Sequence, residues 1–390
     1  MFEGFATSLC NEIRMRADEI SDDVNTLYIG GGTPSVLPLY VYENILSVLK
    51  ETGHGGPYEE FTVEVNPEDI IEKGVDYVKG LLRLGVNRIS MGVQSFDDTI
   101  LKFMNRRHNA EAARIAYSIL EEAGVQNISI DLIFGLPQLS DELWQETLDK
   151  ALSISPSGRL PQHISSYQLS IEPGSMLAKL VEKGCFEEAS EEHCQRQYDM
   201  LCKALADAGY DHYEISNFAL PGHQAMHNSA YWRHIPYTGF GPGAHSFAYD
   251  GSGTQCTPVA PSHLWAPPPT RGRENATYAQ LAPGTAGVKP CRSWNQPDLK
   301  KYIESLESVR EGEELTEDQL ILERIMLALR TSEGISETFL KEHCDPQLIA
   351  QAISSGDLVR TLHKDYSGAI MLRIPESRFF ISDAIINHIV

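Results

Sequence analysis

Four short segments carry polar side chains where an otherwise apolar strand ends: YIGGGTPS at 28–35, TVEVNP at 62–67, RISMGVQSF at 88–96 and SIDLIFGLP at 129–137. Glu64, Gln94 and Asp131 fall near the ends of three of these runs. A carboxylate or amide withdrawn from water there needs a cation, a hydrogen-bond partner or a ligand to offset its desolvation. A salt bridge to Arg88 is the purely structural solution for Glu64, and loop amides could satisfy Gln94 and Asp131. Gly30, Gly31 and Gly32 end the first run and open a helix. Without side chains they let a ligand reach the backbone, and their free amides could hold a carboxylate. A tight turn that needs positive φ is the other reading. Tyr167, Gln168 and Glu172 end a fifth run and face the same mouth.

Strand centres near residues 28, 63, 89, 130 and 166 alternate with helical stretches at 40–51, 67–84, 109–123 and 141–154. Five consecutive βα units predict parallel strands whose carboxyl ends share one rim, where such folds bind ligands. Each strand reads as a short, nearly continuous apolar run, as expected when both faces are covered. The expected architecture is a partial (β/α) barrel, with a doubly wound open sheet as the alternative. A helix over 188–209 leads to a strand at 212–218. The loop up to residue 246 then reads as a lid or a floor for the barrel mouth.

Composition narrows the function classes. The 390 residues carry a net charge of −22, and no Lys/Arg-rich run reverses it locally, which argues against nucleic acid or an anionic membrane as partner. No segment approaches the roughly 20 apolar residues of a membrane span, and the start MFEGFATSLCNEIR has no leader pattern, so a cytoplasmic location is expected. Cysteines at 10, 185, 194, 202, 256, 291 and 344 are an odd, scattered set that suits free thiols. None are two or three residues apart, so their spacing gives no support for a metal centre.

Three units are expected. Residues 1–248 hold the partial barrel and its following loop. Residues 249–291 form a Pro/Gly-rich insertion, read as disordered, with seven prolines and five glycines between 250 and 291. Residues 292–390 form a small winged-helix-like α+β domain, with helices at 316–330, 336–343 and 346–354 and a hairpin built from LVRTLH and AIMLRI. Such modules often bind DNA, but residues 311–390 hold 14 acidic and 7 basic side chains, the wrong balance for a phosphate backbone.

The ordered series GGGTPS, EVNP, RISMGVQSF, DLIFGLP, YQLSIEPG, YEISNFA, HNSAYW and GPGAHS closely resembles the radical S-adenosylmethionine (SAM) proteins related to oxygen-independent coproporphyrinogen III oxidase, above all their shorter haem-chaperone branch. The resemblance covers residues 5–248 and 292–390. It implies that Gly31, Gly32, Thr33, Glu64, Gln94, Arg106 and Asp131 contact S-adenosylmethionine. It also implies a tetrapyrrole partner, with haem passed to an acceptor protein that the sequence does not identify. His227 and His245 would then be able to ligate haem iron or bond a propionate, or simply to satisfy a loop.

The family begins with a strand and a CxxxCxxC loop whose thiolates hold a 4Fe-4S cluster. Neither is present here, and the helix expected at 5–20 looks like the one that follows that loop. The sequence thus reads as an N-terminally shortened haem-trafficking protein without cluster chemistry. The other readings are a radical oxidoreductase acting on a tetrapyrrole, whose cluster segment is lost to start-site choice, and a metal-free binding module. Without its first strand, the strand at 25–30 would keep an unpaired edge and low solubility unless something covers it.

Overall fold

The structure, a computed structural model, describes residues 1–250, 289–305, 310–362 and 368–390. The expected insertion lies, from 251 to 288, outside the described residues. Helix α1 (Phe2–Met15) leads into β1 (Thr26–Ile29), α2 (Leu39–Glu51), β2 (Glu60–Val65), α3 (Pro67–Arg83), β3 (Arg88–Gln94), α4 (Asp98–Phe103), α5 (Ala110–Ala123), β4 (Ile128–Phe134), α6 (Asp141–Leu152) and β5 (His163–Gln168). Then come α7 (Met176–Glu182), α8 (Glu191–Asp207), the hairpin β6 (Asp211–Glu214) and β7 (Asn217–Ala219), and α9 (Met226–Trp232).

Local chemistry sets these boundaries. Pro67 occupies the first turn of α3, where its missing N–H costs nothing. Asn109 and Ser140 accept backbone N–H bonds at the starts of α5 and α6, and Gly124 ends α5 in the left-handed region.

Strands β1 to β5 pair in parallel and in order, and β7 and β6 extend the sheet antiparallel beyond β5. The result is a curled half-barrel of seven strands, as the partial-barrel reading expected. Among the described residues β1 is an edge, bonded to β2 alone. The expected strand at 212–218 is instead a tight hairpin, because Glu214 accepts bonds from the Ser216 N–H and the Asn217 amide and turns the chain.

One sequence reading is corrected. The strands are not apolar on both faces. On β3, Ile89, Met91 and Val93 are fully buried in the hydrophobic core that also holds residues of α3 and α5, while Arg88, Ser90, Gly92 and Gln94 line a cleft inside the barrel. The strict alternation marks a sheet with one dry face and one polar face. Helical cover on the outside makes the run look apolar, while the inside is polar for binding.

Beyond the barrel, β8 (His245–Asp250), β9 (Lys289–Asn295) and β10 (Arg310–Glu314) form a small antiparallel sheet, with α10 (Leu299–Glu304) between β9 and β10 in the chain. The winged-helix-like part comprises α11 (Glu317–Leu329), β11 (Ile335–Ser336), α12 (Glu337–His343), α13 (Pro346–Ser355), β12 (Val359–Leu362) and β13 (Ile370–Arg373), in sheet order β11-β13-β12. Helix α14 (Ser382–Ile389) packs on α11 and α13.

A buried carboxylate ties α1 to the second sheet. Glu12 accepts bonds from Arg16 (2.6 Å), the Asn295 amide (2.8 Å), the Gly241 N–H (2.9 Å) and the Tyr302 hydroxyl (2.6 Å). Arg16 in turn donates to Glu19, the Gly239 carbonyl and Ser246. The GPGAHS segment therefore anchors the first helix.

Candidate functional site

The cleft encloses about 210 Å³ at the carboxyl ends of β1 to β5 and is lined by polar side chains from every one of these strands. Glu64 is its best-tethered member. One carboxylate oxygen accepts the Tyr28 hydroxyl at 2.5 Å and the other the Gly31 N–H at 2.9 Å. The expected alternative, a salt bridge from Arg88, does not form: both Glu64 oxygens are held by the first strand and its turn. Burial and the adjacent Glu64 charge push the Tyr28 hydroxyl well above its usual range, so it stays a donor.

The turn itself is shaped as a cradle. Gly31 and Gly32 adopt φ of +75° and +60°, and no atom lies within 4 Å of where a Cβ would sit on either. The left-handed backbone favours glycine there, and the space beside it stays open. The following Thr33-Pro34-Ser35 turn is held by hydrogen bonds from and to α3. The Ser35 hydroxyl donates to Asp69 (2.6 Å) and accepts the Asn66 N–H (3.1 Å), while Lys73 binds the Ser35 and Leu37 carbonyls.

Gln94 adopts φ of +67° at a β-bulge that breaks the register of β3 against β4. A left-handed glutamine is strained, and such strain persists where the surrounding structure dictates it, commonly at ligand clamps. The amide folds back over Gly92, where a Cβ would stand 2.7 Å from Gln94 Nε2. Arg106 faces the cleft from the far side, half-buried, with no side-chain hydrogen bond or ion pair among the described residues. Its neighbour Arg107 is committed to Glu68 and Asp69.

Asp131 stands at the centre. Its carboxyl is pushed up to about 6, first by burial and then by Glu64, against the pull of Ser165, Arg88 and Ser90. Ser90 donates to it at 3.2 Å. Burial also pushes Glu214, at the inner end of β6, to about 7. Both acids hold a proton more tightly folded than unfolded, so their stabilising contribution is complete below pH 4 and lost as pH rises through 6 and 7. Chemical denaturation is expected to show stability falling by about 2–3 kcal/mol per group between pH 4 and 7.5, with Asp131→Asn removing one share. A flat profile for the unsubstituted chain would contradict this.

Of the residues singled out from sequence, Gly32, Thr33, Glu64, Gln94, Arg106, Asp131 and Tyr167 line one cleft, and Gly31 is bonded to Glu64 at its edge. Gln168 and Glu172 are exposed and do not line it. His227 lies inside the barrel beside the cleft. Its Nδ1 is 3.2 Å from the Thr26 hydroxyl, its ring stacks on Tyr28, and burial followed by the Arg88 charge holds it neutral. The Glu60 carboxylate caps the start of α9 through the Met226 and His227 N–H groups, both at 2.9 Å. The HNSAYW segment thus fills the barrel interior on the β1 side, closer to a floor than a lid. His245 is on β8, half-buried and stacked against Trp294.

Sequence reasoning missed Tyr28, Asn66, Ser90, Ser165 and Asn228, which also line the cleft, and took Arg88 only as a partner for Glu64. The period-two pattern held the signal for most of them. Ser90 stands opposite Glu64 and Ser165 opposite Asp131 in register.

A curled parallel half-barrel with a glycine-cradled first turn and a charged polar interior is the architecture of radical SAM proteins. Residues 8–151 match the Radical SAM superfamily profile. Curated relatives include the haem chaperone HemW of Lactococcus lactis, 37% identical over 58% of this chain and 58% of the relative. That of Synechocystis is 34% identical over 62% of this chain and 57% of the relative. The chain therefore spans a little under three-fifths of the length of these relatives. Among solved structures, the Escherichia coli coproporphyrinogen III oxidase HemN, described as a radical SAM enzyme, superposes with a TM-score of 0.70 at 19% identity, covering 99% of this chain and 82% of that one. That likeness is one of fold.

Proposed function

We propose that this chain is a haem chaperone of the radical SAM superfamily: it binds S-adenosylmethionine in the half-barrel cleft, binds haem, and hands haem to acceptor proteins in the cytoplasm. The observation that carries the first part is the joining of Glu64 to the open glycine turn, opposite a strained Gln94 and an unpartnered Arg106. The similarity to proteins named haem chaperones supports the second.

These residues fit the cofactor. The open space beside Gly31 and Gly32 admits its backbone-bound end, Thr33 and Gln94 offer hydrogen bonds, and Arg106 supplies a cation for a carboxylate. Glu64 and Asp131 place negative charge where a sulfonium, an ammonium or ribose hydroxyls would be held. S-adenosylmethionine reduced beside a 4Fe-4S cluster supplies hydrogen-abstracting chemistry in this superfamily. The described residues do not fit such a cluster, since no three His, Cys, Asp or Glu side chains among them are grouped as a metal site. What the described residues offer is a binding site for the cofactor. A coproporphyrinogen oxidase-type activity is the second reading, supported by shared architecture alone.

Two titrations test the proposal. Calorimetry is expected to detect S-adenosylmethionine, and hemin is expected to give a saturable Soret shift with transfer to an apo-haemoprotein. Failure of both overturns the reading, while turnover of coproporphyrinogen would favour the second one.

A further inference from the structure

Arg88 opens β3 and is only 2% exposed. Its guanidinium lines the cleft, yet Nε is buried without a partner, and no side-chain hydrogen bond or ion pair reaches this residue among the described residues. An unpaired guanidinium is among the costlier groups to take out of water, so a fold that keeps one inside a cavity has an anion to receive.

The Arg88 charge acts on Asp131 through space, but no neighbouring carboxylate forms an ion pair or hydrogen bond with it among the described residues. Glu64 is held by Tyr28 and Gly31, Asp131 by Ser90, and Glu60 by the first N–H groups of α9. Glu214 is held by the Ser216 N–H and the Asn217 amide. The buried imidazole of His163 is matched on both nitrogens, to the Ser129 and Tyr213 hydroxyls at 2.8 Å each. The Thr62 and Ser166 hydroxyls nearby also lack partners, but they are neutral, and Arg88 is the charged group at this depth left without an ion pair.

Its depth separates it from the rim. Arg88 pairs in register with Thr62, two residues before Glu64, and lies six residues before Gln94, about 20 Å along an extended strand. The rim already holds a second unpartnered cation in Arg106. We propose that Arg88 binds the carboxylate of an organic acid that enters the barrel beneath the adenosyl cofactor, so that the chain's second ligand is anchored by an acid group at the barrel floor. The placement beneath the cofactor rests on the functional reading above, whereas the anion site itself does not.

Thermal unfolding in about 50 mM sodium propionate, against sodium chloride at matched ionic strength, tests this on the chain with Arg88 and on Arg88→Met and Arg88→Lys. Propionate is expected to raise the melting temperature of the unsubstituted chain by about 2 °C over chloride. Arg88→Met is expected to melt at or above the unsubstituted chain in chloride, because the unpaired charge is gone, and to show no propionate response. Arg88→Lys keeps a charge but not the planar fork and is expected to retain part of the response. The propionate shift should persist with saturating S-adenosylmethionine. An equal propionate response in Arg88→Met overturns the proposal, as does a lower melting point for that variant in chloride. Loss of the shift when S-adenosylmethionine is present also overturns it, since Arg88 would then serve the cofactor's own carboxylate. Failure of the cofactor reading registers separately, as no S-adenosylmethionine uptake with the propionate response intact.

Discussion

Glu64→Ala is expected to weaken S-adenosylmethionine binding on the order of 100-fold, measured by isothermal titration. The side chain does three things at once. It accepts the Tyr28 hydroxyl hydrogen bond, it fixes the glycine turn through the Gly31 N–H, and it presents negative charge to the cleft. Alanine leaves a buried hydroxyl and an amide without acceptors and lets the turn move, so both orientation and attraction are lost. Glu64→Gln keeps one acceptor oxygen and the shape, and an intermediate loss on the order of 10-fold is expected. If alanine binds the cofactor within threefold of the unsubstituted chain, this cleft is not where the cofactor sits.

The second large effect is on stability. Glu12→Ala is expected to cost about 3–5 kcal/mol, because it breaks a buried ion pair and leaves Arg16, Asn295, Tyr302 and the Gly241 amide without their shared acceptor. Calorimetry should show the melting temperature falling by on the order of 5–10 °C. Glu12 does not line the cleft, so S-adenosylmethionine affinity measured well below the transition should stay within twofold. A loss under about 1 kcal/mol would show that the network is dispensable.

The difference between these two sites explains what the sequence made legible. The parallel barrel was readable because each βα unit is local: Pro67, Asn109, Ser140 and Gly124 punctuate helices by contacts within a few residues. The rim residues were readable because polar side chains at strand ends are conspicuous against Val63, Met91 or Leu132. Arg88 was noticed only as a partner for Glu64, since nothing local says that Tyr28, sixty residues earlier, has already taken that carboxylate. Glu12 looks like any acidic residue on a half-exposed helix until Asn295 and Tyr302 arrive from the other end of the chain. His227 and His245 were conspicuous for the opposite reason: their residue type suggested chemistry, while the structure packs one on Tyr28 and the other on Trp294.

The bond between Glu12 and Asn295 joins positions 283 residues apart. At ordinary translation speeds the first helix emerges tens of seconds before its last partners leave the ribosome. Throughout that interval its apolar stripe, with Ala6, Leu9 and Ile13, lacks the α10 surface that later covers one side of it. The final packing of the first helix must therefore wait until this distant segment has left the ribosome.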